Sequence, residues 1–214
     1  MTVPPVLITV LVCLYLPVAP IMMLIHTLHA RAPELGPRAY GIHVPVYIAL
    51  VLAVAAAHPL WNHPVSTWPD GVRAMGGALV ALSAMVLLWT YRQIDSATAM
   101  AIPQVTGRGS DRFIDHGIYA RLRHPRYAVL LGGAAGNAML VGSPALFVAA
   151  ALTAFLVPIL VRTEERELVN RFGATYEAYR AYVPALFPRA RSRVQRVAPS
   201  RTDAHSRPHP NANR

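Results

Sequence analysis

Tyr127-Ala128-Val129-Leu130-Leu131-Gly132-Gly133-Ala134-Ala135-Gly136-Asn137-Ala138-Met139-Leu140-Val141-Gly142-Ser143-Pro144 is the stretch that decides the fold. It is an uncharged run, and after Gly142-Ser143 a second uncharged run follows from Pro144 to Val161. So short a turn does not let the chain travel, so the two runs are expected to fold back as a tight antiparallel helical hairpin. Gly132, Gly133, Ala134, Ala135 and Gly136 give its first arm a small-residue face for close helix packing. Charge frames both open ends. Before the hairpin stands Asp115-His116-Gly117-Ile118-Tyr119-Ala120-Arg121-Leu122-Arg123-His124-Pro125-Arg126-Tyr127, and after it Arg162-Thr163-Glu164-Glu165-Arg166-Glu167. The two clusters are expected to meet at one membrane face.

Composition supports a membrane setting for the whole chain. Of 214 residues 54% are hydrophobic and 14% charged, with a mean hydropathy of +0.36, against about a quarter charged in a soluble domain. The net charge of +10 invites a nucleic-acid reading. However, eleven of the twenty basic residues, all arginine, lie from Arg162 onward, where a juxtamembrane basic tail accounts for them. No nucleic-acid partner is expected. The single cysteine, Cys13, lies inside an apolar run and is expected to be a packed small side chain.

Working outward, Val6 to Ile25, Val44 to Leu60 and Gly71 to Tyr91 are three further apolar runs. A helix crosses a hydrocarbon core of about 30 Å with about twenty residues. Pro17 and Pro20 are expected to kink the first run, and its length and uncharged start make a cleaved signal peptide unexpected. The fold class is therefore all-α and integral to the membrane, with about five transmembrane helices, the C-terminal helical hairpin and an amphipathic cytosolic helix. That last helix is Glu164 to Tyr182, with Leu168, Phe172, Tyr176 and Tyr179 on one face and a bend at Gly173. Arginine asymmetry orients the chain multi-pass with the N-terminus outside and the C-terminus cytoplasmic. Three parts result: 1–91 with three N-terminal helices, 92–188 as a core, and 189–214 as a basic tail too polar to fold.

Ionisable groups beside a membrane warrant a functional reading. His58 and His63 read as interfacial residues. His26 and His29, three apart, could ligate a metal, but no carboxylate or cysteine lies near them in sequence, and no metal is expected. His124-Pro125 at the hairpin mouth reads as a site, whereas Arg121 and Arg126 read as inside-facing anchors. Glu164 and Glu165 admit two uses: ion pairing with Arg121 and Arg123, or binding a cationic ligand.

Gly117-Ile118-Tyr119, Arg123-His124-Pro125-Arg126-Tyr127, the Asn137 to Pro144 turn, Arg162-Thr163-Glu164-Glu165, Leu168, Phe172-Gly173, Tyr176 and Tyr179 together resemble the isoprenylcysteine carboxyl methyltransferase and phospholipid methyltransferase superfamily. The resemblance covers roughly Asp111 to Pro188, in order and spacing. It implies a membrane methyltransferase that uses S-adenosyl-L-methionine and acts on a hydrophobic or lipid-linked acceptor among membrane lipids. By position it implies Gly117, Tyr119, His124, Pro125, Tyr127, Glu164, Glu165, Tyr176 and Tyr179 as cofactor-binding. Arg162 would face the acceptor, and Glu165 would be the group available to take a proton. Val129 departs from the family, which often has glycine there.

Two rivals remain at this stage. A membrane reductase of the steroid 5-alpha-reductase type resembles the same region, but tends to have Gly-Glu where Ala128-Val129 stands. A non-enzymatic membrane protein would bind no nucleoside at all.

Overall fold

The computed structural model describes residues 4–31, 38–57, 59, 68–93 and 114–188. Among them are seven α-helices and no strand: α1 Pro5–Tyr15, α2 Val18–Arg31, α3 Arg38–Ala56, α4 Asp70–Tyr91, α5 Pro125–Val141, α6 Pro144–Phe172 and α7 Ala174–Tyr182. The all-α expectation holds. His58, His63, the side chain of His29, residues 94–113 and the tail 189–214 lie outside the described residues.

Among the described residues three segments are long and apolar enough to cross a membrane: Pro5–Thr27, Asp70–Tyr91 and Pro144–Phe172. Val44–Ala56 is a shorter apolar helix, and α5 has 17 residues. At 1.5 Å per residue α5 is about 25 Å long, short of a core of about 30 Å. Three of the five expected spans thus stand on helix length and composition. The outward side chains agree with a lipid setting: Val6, Val10, Leu14, Leu82, Met85, Leu88, Val148 and Phe155 are all exposed, far more apolar surface than a soluble monomer presents.

Proline and glycine punctuate the helices as their backbone chemistry requires. The first apolar run breaks at Leu16-Pro17, where the ring removes an amide donor, whereas Pro20 is absorbed in the first turn of α2. Pro125 and Pro144 each open a helix from its first position. Gly142 closes α5 in the left-handed conformation, φ 74°, and Gly173 at φ 57° separates α6 from α7. α6 runs 29 residues through an internal Pro158, so the acidic cluster rides on the same helix as the apolar span. The expected amphipathic segment is therefore the last turns of α6 plus α7, divided at Gly173 as anticipated.

α5 is the hub. It packs most extensively on α4 and next on α6, and touches α1. Its small-residue face is shared between two partners. A Cβ on Gly136 would stand 2.8 Å from the Gly76 carbonyl of α4, and one on Gly76 would stand 2.7 Å from the Gly136 carbonyl. Gly133 instead lies under the Tyr15 ring of α1, whose hydroxyl accepts a hydrogen bond from Asn137 Nδ2 at 3.0 Å. Cys13 packs beside the buried cluster of Ile8, Val12 and Val54, a small core side chain as expected.

Candidate functional site

The loop of residues 114–124 and the C-terminal segment close over the end of α6. Gly117 adopts φ 61°, and the Gln93 side chain fills the space a Cβ would take. Gln93 Oε1 also accepts the Ile118 amide at 2.8 Å. From there the loop is clamped by residues after α7: the Arg123 and His124 amides donate to the Pro184 and Ala185 carbonyls, both at 2.9 Å. The Tyr179 hydroxyl donates to the Tyr119 carbonyl at 2.7 Å.

His124 sits just before Pro125 with φ −124° and ψ 62°, outside the helical region that a following proline disfavours. Its side chain is 3% exposed and lies between two carboxylates. Nε2 is 3.2 Å from Glu165 Oε1, and Nδ1 is 3.6 Å from Glu164 Oε2. Burial disfavours the imidazolium, but hydrogen bonding and charge from Glu164 and Glu165 outweigh it and push the pKa up to about 9. At neutral pH this histidine is a cation.

Glu165 is encircled. Its Oε1 accepts from Arg123 Nε at 2.8 Å and Nη2 at 2.5 Å, and Arg180 Nη1 lies 4.0 Å from Oε2. Arg123 Nη1 donates in addition to the Arg180 carbonyl at 2.9 Å and to the Val183 carbonyl. One guanidinium thereby ties the loop, α6 and the end of α7 together, a task suited to its planar fork of donors. Tyr127 stacks on His124 with centroids 5.7 Å apart, and Tyr176 tilts on Tyr179 at 5.6 Å. Burial holds the Tyr176 and Tyr179 phenols above the usual range, so both remain neutral.

The structure brings Tyr119, His124, Pro125, Tyr127, Glu164, Glu165, Tyr176 and Tyr179 into one region. Gly117 stands at an exposed turn and packs on Gln93. Arg162 is exposed on α6, and among the described residues no hydrogen bond or ion pair joins it to the cluster. The sequence left Glu164 and Glu165 open between ion pairing and cation binding. Here Arg123 takes the pairing role, whereas Arg121 lies over the Trp89 ring at 5.7 Å. Four participants were not among the expected site residues: Gln93, Arg180, Glu167, which was read only as part of the charged cluster, and its partner His26, which was weighed only as a metal ligand. His26 Nδ1 on α2 is 2.9 Å from Glu167 Oε2 on α6. No spacing rule pairs residues so far apart in sequence, and the only signal was a histidine at the end of an apolar run.

A helical, apolar-surfaced protein with a buried acid–base cluster at one end of its helices is the class these features define. Residues 72–175 match the phospholipid methyltransferase family model, in agreement with the resemblance read from the motifs. The chain is 31% identical over 147 residues to the cobalt-zinc-cadmium resistance protein CzcN of Cupriavidus metallidurans, covering 67% of this chain and 61% of that protein. It is 39% identical over 94 residues to methanethiol S-methyltransferase 2 of Bradyrhizobium diazoefficiens, covering 44% of this chain and 33% of that protein. With the protein-S-isoprenylcysteine O-methyltransferase of Schizosaccharomyces pombe it shares 38% identity over 79 residues, 35% of this chain and 32% of that protein. The matches thus span less than two thirds of each relative. No solved structure matches the chain.

Proposed function

We propose that the chain is an integral membrane methyltransferase that moves a methyl group from S-adenosyl-L-methionine to a hydrophobic or lipid-linked acceptor. The observation that carries this is the His124–Glu165–Arg123 cluster, ringed by Tyr127, Tyr176 and Tyr179 inside the segment that matches the family. In this reading five helices cross the bilayer with the N-terminus outside. α5 and α6 form the hairpin, and 92–188 is the catalytic core.

The donor set fits the cofactor. Carboxylates of Glu164 and Glu165 suit its ammonium end, the Arg123, His124 and Arg180 cations suit its carboxylate, and the tyrosine faces suit its sulfonium and base. When bound, S-adenosylmethionine supplies a methyl group already activated on a cationic sulfur. What remains for the protein is alignment and exclusion of water. His124 and Arg123 hold the two glutamates in place. Tyr127 and Tyr176 wall off water, and the clamp of residues 183–185 keeps the 119–124 loop closed. Arg162, exposed at the membrane boundary, orients the acceptor, and Gly117 sets the turn that shapes the outer edge. No covalent enzyme intermediate is required.

Calorimetry on detergent-purified protein tests this directly: S-adenosylhomocysteine is expected to bind and NADPH not. NADPH binding alone would favour a membrane reductase instead. His124→Ala and Glu165→Gln should each weaken S-adenosylhomocysteine binding by about tenfold or more, the scale of one charge-assisted hydrogen bond. Arg162→Ala should spare binding and slow tritiated methyl transfer.

A further inference from the structure

The acidic cluster on α6 has three carboxylates, and they are not equivalent. Glu165 Oε1 is taken by Arg123 and His124, and Arg180 lies 4.0 Å from Oε2. Glu164 faces His124 at 3.6 Å and hydrogen-bonds Tyr127. Glu167 differs: Oε2 is held by His26 at 2.9 Å, while Oε1 is buried and has no hydrogen-bond partner among the described residues. A buried carboxylate oxygen without a donor is costly and calls for a protic group to meet it. At 100° per residue Glu167 points about 200° around α6 from Glu165, toward α2 and away from α7. One to three turns below it, Ala19, Met22 and Met23 of α2 pack with Tyr127, Leu156 and Leu160, an apolar wall reaching up to the pair.

Resting on the methyl-transfer reading, we propose that Glu167, held by His26, is the proton acceptor of the site, and that its acceptor substrate is an apolar protic nucleophile, a thiol or an amine. The step balances. A lone pair on the acceptor atom forms the bond to the methyl carbon, and the carbon–sulfur bond breaks with its pair passing to sulfur, which becomes a neutral thioether. The acceptor's own hydrogen leaves as a proton to Glu167 Oε1 and is later released to water. His26 Nδ1–H, donating to Oε2, fixes the carboxylate so that Oε1 faces the acceptor. A carboxylate acceptor would need no such base. Among the described residues His26 from α2, Glu164 on α6, His124 from the loop and Tyr127 from α5 are the titratable groups that face the pair.

The experiment uses full-length protein in nanodiscs, tritiated S-adenosylmethionine and three probes: dodecanethiol, dodecylamine and myristate. Wild type should methylate the thiol or the amine, and which one it takes distinguishes the two protic classes. Glu167→Gln should bind S-adenosylhomocysteine within about twofold of wild type yet transfer about 10²–10⁴-fold more slowly at pH 7, the usual worth of a general base. With dodecanethiol the deficit should shrink as pH rises toward the thiol's own pKa, because a thiolate needs no base. His26→Gln should show a smaller loss with the same pH trend. A deficit equal at every pH, an equal loss of S-adenosylhomocysteine affinity, or transfer to myristate alone would overturn the proposal. So would S-adenosylhomocysteine binding with methylation of neither protic probe. Failure of wild type to bind S-adenosylhomocysteine would instead sink the methyltransferase reading itself.

Discussion

His124 lies between Glu164 and Glu165 with its side chain almost wholly buried, and the proton it holds is part of what keeps the site together. Its folded pKa of about 9 stands above the ordinary 6.5. The protonated ring therefore contributes stability that is fully present below about pH 6.5 and is lost as pH rises through 9. A shift of this size is worth on the order of a few kcal/mol. Thermal unfolding in detergent at pH 6, 8 and 10 should show wild type losing several degrees over the upper interval, by the usual conversion of stability to midpoint. His124→Gln should lose clearly less over that interval, and equal pH slopes would contradict the assignment. At this scale the sequence named the right residue types but not their partners. Arg121 and Arg123 are both two residues from their neighbours in a loop without periodicity, and only the fold turns one onto Glu165 and the other onto Trp89. Periodicity was informative only for residues borne on helices: Tyr176 and Tyr179 were placed correctly on one face.

Helix pairing supplies the rigid frame for that loop, and its tightest point is the glycine crossing of α4 and α5. Gly76 and its neighbour Gly77 separate the effect of contact from that of helix propensity. A Cβ on Gly76 would stand 2.7 Å from both the Gly136 carbonyl and the Leu140 amide, so the backbones must move apart. A Cβ on Gly77 would meet only Leu140 Cδ1 at 3.9 Å, an ordinary contact. Gly76→Ala should therefore destabilise by about 1–3 kcal/mol, whereas Gly77→Ala should be neutral or stabilise by up to about 1 kcal/mol. Midpoints of thermal unfolding for the two variants test the difference, and a larger loss in Gly77→Ala would mean the register of α4 on α5 is wrong. The glycines of the small-residue face of α5 were legible as close-packing signals. Which helix each one met was not, because a small side chain marks an approach without naming its partner. The short Gly142-Ser143 connection drew attention to α6, yet Gly136 packs on α4 and Gly133 under Tyr15.

For the whole molecule, the apolar runs read from sequence reappear as helices, but hydropathy counts residues and does not decide which helices cross. α5 is short: with 17 residues it does not span unaided, yet its end is tied by two residues to the start of α6. A thinned bilayer or flanking polar groups can accommodate such a helix. Labelling single cysteines in a Cys13→Ser background resolves this, with one at Asp70, the exposed start of α4, and one at Ala174, the exposed start of α7. Three crossings by α4, α5 and α6 separate the two positions in the five-span arrangement, which puts them on opposite faces. In sealed right-side-out vesicles an impermeant maleimide should then modify Asp70→Cys at once and Ala174→Cys only after permeabilisation. If α5 does not cross, two crossings remain and both positions label from the same side. Opposite faces with the accessibilities exchanged would keep the span count and invert the orientation. That inversion would carry the His124 and Glu167 clusters to the outer face, where cytosolic S-adenosylmethionine could not reach them.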